Sequence, residues 1–199
     1  MIKILIFDIG QVLIEVDIHN FIKNLTHALN VPRWKLYLMH DRTIFHELMI
    51  GLKTMEDIHQ IFCQRFKCNL GLEKFKEIWL SIIIQPKKEV VELVQQLSPK
   101  YPLAILSNID AVHYEYFQKN MTFLNYFSPH FLSYRMRLAK PDPAIYHQVL
   151  KDLDAQPHEC YFVDDRKENV LAARKLGIVA HHFKNFKRLQ KDIKYHHIL

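Results

Sequence analysis

The run IKILIFDIGQVL, residues 2–13, decides the fold. Five apolar residues and one lysine lead directly into Asp8, followed by Gly10 and another apolar pair. An apolar run of this kind suits a strand buried on both faces, as in a parallel sheet covered by helices. Open α/β sheets bind their ligands at the carboxyl ends of the strands, and Asp8 stands at such an end. Two readings are open from this stretch alone: Asp8 carries chemistry, or it caps the following turn.

The chain has 199 residues, enough for one sizeable core or a core with an inserted subdomain. A formal net charge of +6 suits an anionic ligand. The basic residues are spread along the chain, so nucleic-acid binding is not expected, and 184–194, the most basic stretch, reads as solvated surface. Three cysteines, Cys63, Cys68 and Cys160, lack the spacing of a disulfide framework or a zinc site. The amino-terminal run reads as a buried strand without a cleavage site, and no apolar run reaches membrane-spanning length. A cytoplasmic location and no membrane partner are the expectation. The pattern does not fix the oligomeric state.

Outward from Asp8, residues 13–17 read as a short extended flap and Asp17 as a helix cap. Apolar spacing then predicts helices through Phe21–Leu29, from Pro32 to Leu38, and over 42–50 with Gly51 as the stop. Thr54 and Asp57 form a capping-box pattern before the helix carrying Ile58, Ile61, Phe62 and Phe66. A further helix is predicted over 72–84, so 18–84 should contain helices and no strand. The aromatic stripes of this segment read as core. After Pro86 the pattern alternates. Apolar runs at 102–106, 130–134, 159–163 and 178–183 read as strands, separated by helical patterns, with Gly177 ending the helix at 169–176. The fold class is α/β: a Rossmann-like parallel sheet flanked by helices, with an all-helical cap inserted after the first strand. The division expected is a core of residues 1–15 and 88–199 and a cap of residues 16–87.

The carboxyl ends of the predicted strands carry Asp8, Ser107-Asn108, Asp164-Asp165 and, just beyond the fourth strand, Lys140. A parallel sheet brings these ends to one edge. Carboxylates are hard oxygen ligands suited to Mg²⁺, which also takes phosphate oxygens and water. Lysine and serine offer donors to phosphate oxygens. One carboxylate could act as nucleophile and split phosphoryl transfer into two steps.

In this order, FDIGQVL, LSN, KPDPAIY and VDDRKENVLAARKLGI resemble the haloacid dehalogenase-like hydrolase superfamily. The resemblance covers residues 1–15 and about 88–185, and is nearest to bacterial phosphatases that begin FDLG, sugar-1-phosphate phosphatases among them. The helical insert matches in position and character only. The resemblance implies Asp8 as nucleophile and metal ligand, and the Gly10 carbonyl as a second metal contact. It implies Ser107 and Asn108 on the transferring phosphoryl group, with Lys140 pairing that group and the nucleophile. Asp165 is implied as a direct Mg²⁺ ligand and Asp164 as a ligand directly or through water. The activity implied is a Mg²⁺-dependent phosphatase acting on a small phosphorylated metabolite through an aspartyl-phosphate.

Two positions depart from the pattern. Many phosphatases of the superfamily carry a second aspartate as general acid where this chain has Gly10. Arg137 stands where a glycine often precedes the lysine by three residues, which puts the Lys140 loop in question. Without a general acid, good leaving groups such as aryl, acyl or anomeric phosphates are favoured, because a positioned acid contributes ~10²–10⁴-fold. Asp17, His46 and Asp110 are candidates to replace the acid or to read the substrate. The rival readings are a non-catalytic member binding a phosphorylated ligand or protein, and a metal-independent dehalogenase using the same aspartate.

Overall fold

The computed structural model describes residues 1–38 and 42–199. A five-stranded sheet holds β1 (Ile4–Phe7), β4 (Leu103–Ser107), β5 (His130–Leu132), β6 (Cys160–Asp164) and β7 (Val179–His182) in the order β5-β4-β1-β6-β7. Every pairing within it is parallel. β2 (Ile14–Val16) and β3 (Ile83–Pro86) form a separate antiparallel ribbon with a bulge between Glu15 and Val16.

Period-2 alternation explains why the strands read as unbroken apolar runs. Leu5, Phe7, Leu103, Ile105, Tyr161 and Val163 face one side, with α6 (Lys88–Leu97), α7 (Ala111–Asn120) and α11 (Phe186–Tyr195). Ile6, Ala104, Leu106 and Phe162 face the other, with α9 (Pro143–Asp152) and α10 (Lys167–Lys175). Both faces are therefore dry. Because β1 lies between β4 and β6, the ends of these three strands meet at the position where the strand order reverses.

The ribbon leads to α1 (Ile18–Leu29), α2 (Arg33–Leu38), α3 (Arg42–Met49), α4 (Met55–Phe66) and α5 (Leu72–Leu80). These share their own apolar cluster, with Leu25, Ile58, Phe75 and Trp79 buried in it. Asp17 caps α1 by accepting from the His19 N–H, and Thr54 and Asp57 form the capping box. Gly51 is required as glycine: its φ is +67°, and a Cβ there would collide with the Tyr134 carbonyl oxygen.

Two expectations are corrected. The helix over 72–84 stops at Leu80, and 83–86 is strand. Ile82, Ile83 and Ile84 are β-branched in succession, which favours extended backbone, and the Ser81 hydroxyl donates to the Ile78 carbonyl at the helix end. The basic stretch 184–194 is not merely surface. It is largely α11, capped by Asn185, which buries Leu189 and Ile193 while its charges face outward. Among the described residues, no helix is long and apolar enough to cross a membrane.

Candidate active site

Asp8 follows β1 directly, and its backbone N–H donates to the Val163 carbonyl at 2.9 Å, which ties the turn to β6. Asp164 is the last residue of β6 and is fully buried; Asp165 follows at the turn into α10. Single carboxylate oxygens of Asp8, Asp164 and Asp165 lie within 4.8 Å of one another. The sequence placed these three acids at one edge, and the fold brings them together.

Lys140 reaches the cluster from the loop after α8 (Ser133–Met136). Its Nζ lies 2.7 Å from Asp164 Oδ2 and 3.1 Å from Asp8 Oδ1, and it donates to the Leu106 carbonyl at 2.7 Å. An ammonium has three hydrogens, and three acceptors surround this one. Burial opposes its charge, but Asp8 and Asp164 outweigh that and hold its pKa above the usual lysine value.

The acids differ in what they have left to offer. Asp164 accepts from Lys140 Nζ, the Arg166 N–H at 2.8 Å, and Asn169 Nδ2 at 3.0 Å to each oxygen. Those bonds fill the capacity of a carboxylate. Asp165 is only partly buried. Burial first, then the like charge of Asp164, raises the Asp165 pKa. Burial likewise pushes Asp8 up to about 6, with Asp164 and Asp165 adding and Lys140 and the Ser107 hydroxyl opposing. Three carboxylates against one ammonium leave excess negative charge in a largely buried site. A hard divalent cation fits that donor set, held by Asp8 and Asp165, whose oxygens are less committed than those of Asp164.

Ser107, at the end of β4, is 2% exposed, and its hydroxyl favours the charged form of Asp8. Asn108 has a further role in holding the lysine loop. Its side-chain Nδ2 donates to the Lys140 carbonyl at 2.7 Å and its Oδ1 accepts from the Lys140 N–H at 2.9 Å. The side chain thus braces the lysine backbone, with one Nδ2 hydrogen left over.

Gly10 and Arg137 turn out to be different kinds of departure. A Cβ added at Gly10 would meet nothing within 4 Å, and its φ is not in the left-handed region. Neither sterics nor backbone demands glycine there. Arg137 has φ +58° and ψ +25°, the conformation in which glycine is at home, and a side chain there costs about 1–2 kcal/mol. Lys140 is nonetheless fixed by its own five hydrogen-bond and ion-pair contacts.

Of the candidates for a replacement acid, Asp17 is a half-buried helix cap whose carboxylate accepts from the His19 N–H. His46 lies on α3, outside the carboxylate cluster. Asp110 is buried, caps α7, and receives His113 Nδ1 at 2.6 Å and the Trp79 indole N–H at 3.1 Å. Burial acts against its charge, but His113 and these hydrogen bonds together hold its pKa below the usual carboxylate value. It is a fixed carboxylate, not a proton donor. Sequence reasoning missed His113, although its place three residues after Asp110 on one helix was the available signal.

A parallel sheet with an aspartate after its first strand, a lysine between carboxylates and an acidic pair after β6 defines an α/β protein with a cation-fitting acidic site at the carboxyl edge of its strands. The haloacid dehalogenase-like hydrolase family model matches residues 2–177, and the chain belongs to that family. Over 187 residues, 89% of either chain, it is 27% identical to a D-ribitol-5-phosphate phosphatase of Bacteroides thetaiotaomicron. It is 28% identical over 190 residues to a sesquiterpene phosphatase of Aspergillus oryzae, covering 90% and 89% of the two chains. A haloacid dehalogenase family enzyme of Bacteroides thetaiotaomicron, in complex with magnesium and inorganic phosphate, superposes with a TM-score of 0.84 at 28% identity, over 95% of this chain and 99% of that one.

Proposed function

We propose that this chain is a Mg²⁺-dependent phosphoric monoester hydrolase acting on a small phosphorylated metabolite through an aspartyl-phosphate on Asp8. The observation that carries the reading is Lys140 Nζ placed between Asp8 and Asp164 at the edge where β1, β4 and β6 end. The relatives that act on D-ribitol-5-phosphate and on sesquiterpene substrates, and the neighbour holding magnesium and phosphate, support it. A sugar-1-phosphate, the class suggested by the FDLG-type beginning, is a first candidate to assay. Residues 16–87 act as a cap over a core of 1–15 and 88–199, and the enzyme works in the cytoplasm.

Mg²⁺, held by Asp8, the Gly10 carbonyl and Asp165, with Asp164 in support, would neutralise charge on the transferring group. Asp8 attacks phosphorus in line, the bond to the ester oxygen breaks, and the leaving group departs without a proton from position 10. Lys140 and Ser107 donate to the phosphoryl oxygens. Water then attacks phosphorus, Asp8 is released as carboxylate, and a proton goes to solvent. Positioning and electrostatics supply most of the acceleration.

The test is hydrolysis of an aryl phosphate with Mg²⁺, with chelator, and by Asp8→Asn. Activity that chelator abolishes and Mg²⁺ restores, absent in Asp8→Asn, is expected. Activity indifferent to chelator would overturn the Mg²⁺-dependent reading, and binding of phosphate without turnover would favour the non-catalytic one.

A further inference from the structure

The described side chains of the helical unit leave a space between them. A cavity of about 390 Å³ lies among α1, α2, α3, α4, α5 and the first turn of α7. Phe21, Phe45, Phe62, Phe66 and Trp79 line it, and His113 closes one side. Polar atoms on the described wall are few. The Trp79 indole N–H is committed to Asp110, His113 Nδ1 is tied to the same carboxylate, and Arg65 is exposed. His113 Nε2 is buried and has no partner among the described residues.

Two short chain paths connect the cavity wall to the catalytic edge. Ile18 and Ile82, also on its wall, stand where the ribbon passes into the helices, and the other end of that ribbon follows from Asp8. Gln11 in the Asp8 turn donates to the Val16 carbonyl, next to this junction. His113 lies in the first turn of the helix that opens four residues after Ser107. Three extended residues and three helical ones bridge at most about 15 Å from Ser107 to His113.

We propose that this cavity receives an apolar leaving group of the phosphoester, a hydrocarbon body of about ten to fifteen carbons, while the phosphate sits at Asp8. The inference rests on the hydrolase reading above. An apolar cavity of roughly 150 Å³ takes up benzene, so this one has room for two to three such volumes. A polyol would leave hydroxyls unpaired against aromatic walls, which disfavours it. Among the described residues, His113 Nε2 is an open polar contact that an occupant meets.

The Mg²⁺-loaded enzyme is assayed on phenyl phosphate and on 4-ethyl-, 4-butyl- and 4-hexylphenyl phosphates, whose leaving phenols are nearly equal in acidity. kcat/KM should rise about three- to fourfold per methylene, through KM. Ile22→Trp, which fills the cavity from α1, should bring the hexylphenyl-to-phenyl ratio down toward one. A flat or falling series in an enzyme that hydrolyses phenyl phosphate overturns the cavity assignment and leaves the hydrolase reading intact. Failure to turn over any member overturns the hydrolase reading. Calorimetric binding of 4-hexylphenyl and phenyl phosphate to the Mg²⁺-loaded protein then decides the cavity separately: equal affinities refute it, and a tenfold or larger preference for the hexyl compound sustains it.

Discussion

Asn108 and Lys140 are joined by two reciprocal hydrogen bonds, 2.7 Å from Asn108 Nδ2 to the Lys140 carbonyl and 2.9 Å from the Lys140 N–H to Asn108 Oδ1. The asparagine thereby fixes the backbone from which the ammonium reaches Asp8 and Asp164. Asn108→Ala leaves a buried donor and acceptor without partners, at a cost of about 1–3 kcal/mol each where water cannot replace the bond. The expected result is a lower urea midpoint together with a fall in kcat of about 10²-fold, with KM changed far less. A variant that loses only substrate affinity would assign Asn108 to the phosphate alone.

The adjacent acids should fail in different ways. Asp164 is fully buried and receives Lys140, Arg166 and Asn169, so Asp164→Ala removes one of the two carboxylates on a buried ammonium, unpairs the Arg166 N–H and Asn169 Nδ2, and should destabilise by about 3–5 kcal/mol. Asp165→Ala should fold normally and lose Mg²⁺. Mg²⁺ at a hundred times its Kd stabilises by about 2.7 kcal/mol, roughly 5–10 °C in Tm for a chain of this size. Thermal scans with Mg²⁺ and with chelator check this: the shift should be present in the wild type and absent in Asp165→Ala.

Gly10 leaves open space where its Cβ would be, so Gly10→Asp should be tolerated sterically. An aspartate there restores a group able to protonate the leaving oxygen, worth ~10²–10⁴-fold where the leaving group is poor. The ratio of rates on glycerol-3-phosphate and an aryl phosphate should therefore rise by 10²-fold or more in the variant. An unchanged ratio would mean that another residue already supplies the proton.

Burial depresses the pKa of His130 and of His181. At His130 the carbonyls of Phe127 and Leu124 oppose the shift and Arg135 adds to it. At His181 Asp192 opposes, while Arg174 and His182 add. Both are neutral in the fold and bind protons more readily when unfolded. Their contribution to stability is present above about pH 6.5 and is lost as pH falls through the depressed values. Between pH 7.5 and 5.0 the wild type should lose more stability than a His130→Gln/His181→Gln double variant. Comparing the two by urea unfolding cancels the carboxylates of the active site, which both proteins share.

The strands and the acids at their ends were legible because burial on both faces makes an apolar run, and a parallel sheet places each run's carboxyl end on one edge. What sequence hid was tertiary. Ile82–Ile84 continue the helical spacing of α5, so β3 showed only in β-branched character that also fits a buried helix. α11 carries its two buried residues among charges and reads as surface. Asn108 sits where a phosphate ligand was expected, and only the fold shows Lys140 against its amide. The aromatic residues read as core are partly that, but Phe21, Phe45, Phe62 and Phe66 also face a cavity, which no periodicity reveals.

The central claim is that Asp8 carries the phosphoryl group. The most direct measurement is an acid quench of the Mg²⁺-loaded enzyme during turnover of acetyl or aryl phosphate, followed by mass spectrometry of the peptide containing Asp8. A phosphoryl group on Asp8, released by hydroxylamine and absent in Asp8→Asn, is the result expected. Turnover with no label on Asp8, or with the label on another side chain, would contradict it.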